Sequence, residues 1–168
     1  MPIRLHQHGL DQIVIDRLRI DCKEADLSEW QRVLDAERNP TRDMKLVMVG
    51  KYMELHDAYK SLTEAIHHAG IHTGTRVNIS YLDAETLMEV GDGCLSDADA
   101  ILVPGGFGER GFEGKIMAAR YARENRVPYL GICYGLHAAI IEFARNVAGL
   151  EGANTTEIDR LCSHPVIG

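Results

Sequence analysis

The stretch Val127-Pro128-Tyr129-Leu130-Gly131-Ile132-Cys133-Tyr134-Gly135-Leu136-His137 constrains this chain more than any other. An apolar run with strand character leads into a cysteine with one glycine two residues before it and another two residues after. Helix formers follow, from Leu136 to about Val147. Strand, tight turn and helix in that order make the cysteine counterpart of a nucleophile elbow. Gly131 and Gly135 allow two backbones to approach closely, so the turn can be sharp. The thiol then falls at a helix N-terminus, where the dipole and unpaired N–H groups favour negative charge. The bland alternative is a free cysteine buried as a small hydrophobe. The spaced glycines at a strand-to-helix switch weigh against it, and the pattern predicts a reactive sulfur.

The rest of the chain supplies the frame for such a turn. From Met44 strands and helices alternate. Strands are predicted at Lys45–Val49, Arg76–Leu82, Ala100–Val103 and Val127–Ile132. Helices are predicted at Asp57–Ala69 and Lys115–Asn125, then in the run after the cysteine. This alternation indicates an α/β fold, a parallel sheet covered by helices on both faces in three layers. Residues 1–43 read differently. Leu10, Ile13, Val14 and Leu18 recur at helical spacing, and Ser28–Glu37 fits a second helix with Ser28 and Gln31 as a capping box. Asn39-Pro40 stops that helix. With little apolar material of its own, this segment reads as a linker or docking arm, or as an ordinary helical extension. The end, 150–168, is poorly periodic. Val166 and Ile167 could open another strand, which suggests a fragment.

Composition excludes several function classes. The 168 residues suffice for one domain with a core, and 45% are hydrophobic, as in ordinary water-soluble proteins. A formal net charge of -7 offers no basic footprint for nucleic acid. No apolar run reaches membrane-spanning length and no signal-peptide core opens the chain. The four cysteines, Cys22, Cys94, Cys133 and Cys162, form no C-x-x-C pair, which argues against a disulfide framework or a cysteine zinc site and points to a reducing, cytoplasmic compartment.

The second chemical feature is Pro104-Gly105-Gly106-Phe107-Gly108, directly after the strand 100–103. Glycines at the C-terminal end of a parallel strand let a ligand reach backbone N–H groups. In an acyl-transfer site the N–H groups of Gly106 and of Tyr134 would form an oxyanion hole. A surface turn explains the glycines equally well. The loop is neither a Walker A loop nor a G-x-G-x-x-G dinucleotide fingerprint. His137, one helical turn after Cys133, could come near the sulfur as base or substrate contact, or be a structural histidine. Glu157 could bind a substrate ammonium, though a loop acid is ordinarily solvated. His67, His68 and His72 lack a third ligand at metal spacing, and His6 with His8 is too little for a metal site.

Taken together, these residues resemble the glutamine amidotransferase half of the CTP synthase family. The most specific pieces are 49–61 (Val-Gly-Lys-Tyr-Met-Glu-Leu-His-Asp-Ala-Tyr-Lys-Ser), 102–108 and the elbow, continued by 142–147 and 153–157. Residues 1–43 resemble the end of the synthetase domain and the interdomain linker, and 44–168 the front of the amidotransferase domain. The resemblance implies a class I amidotransferase-like, flavodoxin-like fold, incomplete at its C-terminus. It implies that Cys133 attacks the side-chain amide of L-glutamine to form a thioester, and that the ammonia serves ATP-dependent amination of UTP to CTP. Gly105, Gly106, Tyr134, Gly135, Leu136, His137 and Glu157 are the implied glutamine-binding positions. Lys60 and Phe107 match positions linked to the activator GTP. No metal site or cofactor is implied for these residues; ATP and Mg belong to the synthetase domain. Implied partners are that domain and further copies in a homotetramer, with no nucleic acid or membrane.

Two departures stand out. The family carries leucine and glutamine where this chain has Tyr134 and His137, which bears on glutamine affinity. The family's catalytic histidine and glutamate, in an H-P-E segment, lie beyond the position of Gly168, and His164-Pro165 is not that segment. Residues 1–168 are therefore expected to hydrolyse glutamine very slowly alone. Three rivals remain: a stand-alone cysteine hydrolase using His137 as its base, a glutaminase serving another acceptor, and a non-catalytic assembly module.

Overall fold

The computed structural model describes residues 1–51 and 56–168. Residues 52–55, within the resemblance segment 49–61, lie outside the described residues.

In chain order the helices are α1 (Pro2–Gln7), α2 (Leu10–Leu18), α3 (Ser28–Arg38), α4 (Lys60–Thr73), α5 (Ala84–Val90), α6 (Phe112–Asn125) and α7 (Tyr134–Asn146). The strands are β1 (Arg42–Gly50), β2 (Thr75–Asp83), β3 (Ala100–Val103), β4 (Tyr129–Gly131), β5 (Ala153–Thr155) and β6 (His164–Ile167). The main sheet has the order β2-β1-β3-β4, and β1/β3 and β3/β4 pair in parallel. Helices cover both faces, and the order is that of doubly wound flavodoxin-like sheets. A second, two-stranded parallel sheet joins β5 to β6.

The chain divides into two compact units, one of 1–43 with 65–76 and one of 44–64 with 77–168. In the first, α1, α2 and α3 contain no buried residue. The stripe at Leu10, Ile13, Val14 and Leu18 forms a helix face as its spacing predicts, but all four residues are exposed. The capping box at Ser28 and Gln31 is not formed. Ser28 is the first helical residue after Leu27, and its N–H donates to Asp26 Oδ1 at 2.9 Å. The N-cap is Leu27, which makes no side-chain cap bond, and the charged Asp26 just before it takes the Ser28 N–H that the Gln31 side chain would have accepted.

In the second unit β1 and β3 are continuous apolar runs, as strands buried on both faces must be. Successive side chains alternate between faces. Val47 and Val49 of β1 join Ile101 and Val103 of β3, Ala84 and Leu87 of α5, Leu95, and Ala118 and Ala122 of α6 in one core. A second cluster sits beside it, made by Phe112 and Ile116 of α6 with Tyr134, Ala138 and Ile141 of α7, against Val166 and Ile167 of β6. Helix α6 serves both clusters.

Polar groups lock α6 to α7. Arg123 Nε and Nη2 donate to the Glu142 carboxylate at 2.8–3.1 Å, and Asn146 Nδ2 adds a third donor at 3.1 Å. Glu142 is 2% exposed. A buried carboxylate left without such partners bears an uncompensated desolvation cost. Arg123→Ala is therefore expected to lower stability, by less than the loss of a fully buried pair because Asn146 still donates. Urea denaturation checks this, and a midpoint equal to wild type would refute it.

Candidate active site at the carboxyl edge of the sheet

Strand register places the two chemical features side by side. Val103 pairs with Gly131 at the carboxyl end of β3 and β4. Each chain runs on two residues, to Gly105 and to Cys133, so these fall opposite each other. A Cβ placed on Gly105 would lie 3.5 Å from Cys133 Cβ and 3.9 Å from its Sγ. The glycine loop thus borders the thiol at the sheet edge where α/β folds bind ligands.

Cys133 itself is exposed and holds φ 54°, ψ −113°, a conformation that costs a non-glycine residue about 1–3 kcal/mol. Two close approaches create that turn. A Cβ on Gly135 would stand 2.0 Å from the Val103 carbonyl oxygen, and one on Gly131 would stand 2.5 Å from the Gly135 carbonyl. Only glycine lets the start of α7 rest on the ends of β3 and β4. Tyr129 Oη ties the contact by donating to the Gly135 carbonyl at 2.8 Å, and its burial raises the phenol's pKa.

Tyr134 opens α7, so its backbone N–H lies in the first helical turn, where no intrahelical acceptor exists. Neither that N–H nor that of Gly106 has an acceptor among the described residues. The Tyr134 side chain is fully buried, with its ring 5.5 Å from Phe107, 4.6 Å from Phe112 and 5.4 Å from His137. Its hydroxyl has no hydrogen-bond partner among the described residues. Burial first, then the nearby charges of Glu157 and Glu109, push that phenol up to about 12.

His137 is half-buried, and its Nδ1 also lacks a partner among the described residues. It forms no hydrogen bond to the Cys133 sulfur, so the pairing that one helical turn of spacing allowed is not made. Glu157 is exposed and within electrostatic reach of Tyr134. Arg145 of α7 helps bring that segment in, donating to the Ala153 carbonyl at 2.7 Å. Gly105, Gly106, Tyr134, Gly135, Leu136, His137 and Glu157 are thus gathered on α7, the glycine loop and the segment after β5. Phe107 is 64% exposed on the loop, and Lys60 is exposed at the first residue of α4. Among the described residues no group of three or more His, Cys, Asp or Glu could hold a metal ion.

A family model described as glutamine amidotransferase class-I matches residues 54–167. The chain belongs to the class-I glutamine amidotransferase family. Among solved structures, this amidotransferase is similar to the glutaminase domain of Trypanosoma brucei CTPS with bound acivicin, at 38% identity and a TM-score of 0.69. The match covers 73% of this chain and 48% of the other, so the amidotransferase spans about half the length of that relative. No described helix is long and apolar enough to cross a membrane.

Two lysines escaped the sequence reading of the amidotransferase site. Lys51, after β1, is 9% exposed, and its Nζ donates to the Phe107 carbonyl at 2.9 Å and the Gly108 carbonyl at 3.1 Å. Lys115, on α6, has no exposure, and its Nζ donates to the Gly106 carbonyl at 3.1 Å. For Lys115 a signal existed. It falls three residues after Phe112 and four before Ala119, on the buried stripe that includes Ile116 and Ala122.

Proposed function

We propose that this amidotransferase supplies ammonia from L-glutamine in a CTP-forming enzyme. Cys133 attacks the side-chain carbonyl carbon, and the C–N bond breaks as ammonia leaves with a proton. Water then cleaves the γ-glutamyl thioester to glutamate. The observation that carries this reading is an exposed cysteine, held in a strained turn, directly opposite Gly105 of the glycine loop. The unengaged N–H groups of Gly106 and Tyr134 are the proposed donors to the oxyanion. Gly105, Gly135 and Leu136 line the proposed glutamine site with their backbones. Glu157 and the unpartnered His137 Nδ1 are the proposed partners of the glutamine α-amino and α-carboxyl end.

Likeness to a CTPS glutaminase domain supports UTP as the acceptor of the ammonia, on a synthetase domain that takes ATP and Mg. Within the same reading, GTP acts near Phe107 and Lys60, and the enzyme assembles as a cytoplasmic homotetramer. A local His137 base gains no support, since that imidazole is not bonded to the sulfur.

The chloroketone analogue of glutamine tests the site. It is expected to alkylate Cys133 well ahead of Cys22, Cys94 and Cys162, and free glutamine should suppress that reaction alone. Peptide mass spectrometry reads both. Labelling spread evenly over the cysteines, or indifferent to glutamine, would remove the glutaminase reading.

A further inference from the structure

We propose that Lys115 is a positioning residue for the chemistry at Cys133: its ammonium fixes the glycine loop through the Gly106 carbonyl and supplies the positive charge that draws an anion to the sulfur. The inference rests on Cys133 being the nucleophile. Its ground is geometric. Lysine is almost never fully buried unless paired, yet Lys115 has no exposure. Its Nζ lies 3.1 Å from the Gly106 carbonyl and 5.4 Å from the centre of the Tyr134 ring, within cation–π range. With Lys51 on the Phe107 and Gly108 carbonyls, the two lysines engage the carbonyls of 106, 107 and 108 in succession. Oxygens committed to lysines are not free to turn toward an anion forming at Cys133. The loop is thereby kept from presenting like charge to the site.

Among the described residues the groups facing this ammonium are few. Lys51 comes from the end of β1, Cys133 from the β4–α7 turn and Tyr134 from α7; Glu109 and Glu157 act on Tyr134. On α5, Glu85 is engaged by Arg110 at 2.7 Å. Burial, then repulsion from Lys51, lowers the Lys115 pKa to about 8, while negative charge at Cys133 works the other way.

The test compares alkylation of Cys133 by iodoacetate, an anion, and iodoacetamide, a neutral reagent. Lys115→Met and Lys115→Gln, the second able to keep a hydrogen bond to Gly106, are each expected to lower the iodoacetate-to-iodoacetamide rate ratio about fourfold at pH 7, the effect of one partly screened charge. In the wild-type chain the ratio is expected to fall as pH rises past about 8, where Lys115 loses its proton, and to stay flat in both variants. A merely structural lysine would alter both rates together and leave the ratio alone. An unchanged ratio in either variant overturns the proposal. Glutamine protection against the chloroketone is read separately, so failure of the glutaminase reading and failure of this one remain distinct.

Discussion

Gly135→Ala is expected to cost at least about 4 kcal/mol and to abolish selective labelling of Cys133. The added methyl would stand 2.0 Å from the Val103 carbonyl oxygen and 2.8 Å from its carbon, inside any van der Waals contact. Backbone, unlike a side chain, cannot rotate away. Moving β3 would break the bond that the Val103 carbonyl accepts from Ile132 N–H at 2.9 Å. Moving α7 would break the Tyr129 bond to the Gly135 carbonyl and unseat Tyr134 from between Phe107 and Phe112. Each route dismantles the turn that presents the thiol. Against a total of about 5–15 kcal/mol for a domain, the loss leaves a marginal fold. Thermal unfolding should shift down by about 10 °C or more. A melting temperature close to wild type, with Cys133 still labelled selectively, would mean that helix and strand are not packed this closely.

The second large effect has the opposite sign. Lys115→Met is expected to stabilise the protein at pH 7. The folded pKa of Lys115, about 8, lies below the unfolded value of 10.5. Between those values the unfolded chain holds more protons, so stability rises with pH across that window. Below it the fold bears the whole cost of this ammonium, from burial first and then from repulsion by Lys51, about 3 kcal/mol. Methionine fills the same space without the charge and forfeits one hydrogen bond to Gly106, worth about 1 kcal/mol. The net gain of about 2 kcal/mol at pH 7 should raise the melting temperature by roughly 5 °C. At pH 11, where the lysine is neutral in both states, the advantage should be gone. A variant less stable than wild type at pH 7 would show that the buried ammonium is better solvated than its surroundings indicate. A charge that weakens the fold beside the proposed nucleophile is what a residue retained for chemistry looks like.

Much of the fold was legible because it is written in short-range pattern. Ala100–Val103 is predicted and found with the same bounds, since a run of four apolar residues ahead of Pro-Gly-Gly has few alternatives. The helix after Cys133 and the strand before it follow from the same logic, though β4 covers only Tyr129–Gly131. Other elements left weak traces. Helix α5 is seven residues long with only Ala84 and Leu87 buried, too short for a periodicity to stand out. Strand β5 has three residues and owes its form to pairing with β6. The Ser28 cap failed because Asp26 competes for the same N–H.

By itself the sequence determined that a cysteine would stand in a glycine-flanked turn between strand and helix, because that geometry depends on residues within a few positions of one another. Only the tertiary structure decided what surrounds the sulfur. Gly105 meets Cys133 through the register of β3 on β4, and Lys51 and Lys115 reach one loop from separate elements. Such meetings depend on contacts between residues many positions apart, where local pattern carries no record of which side chains will share a site.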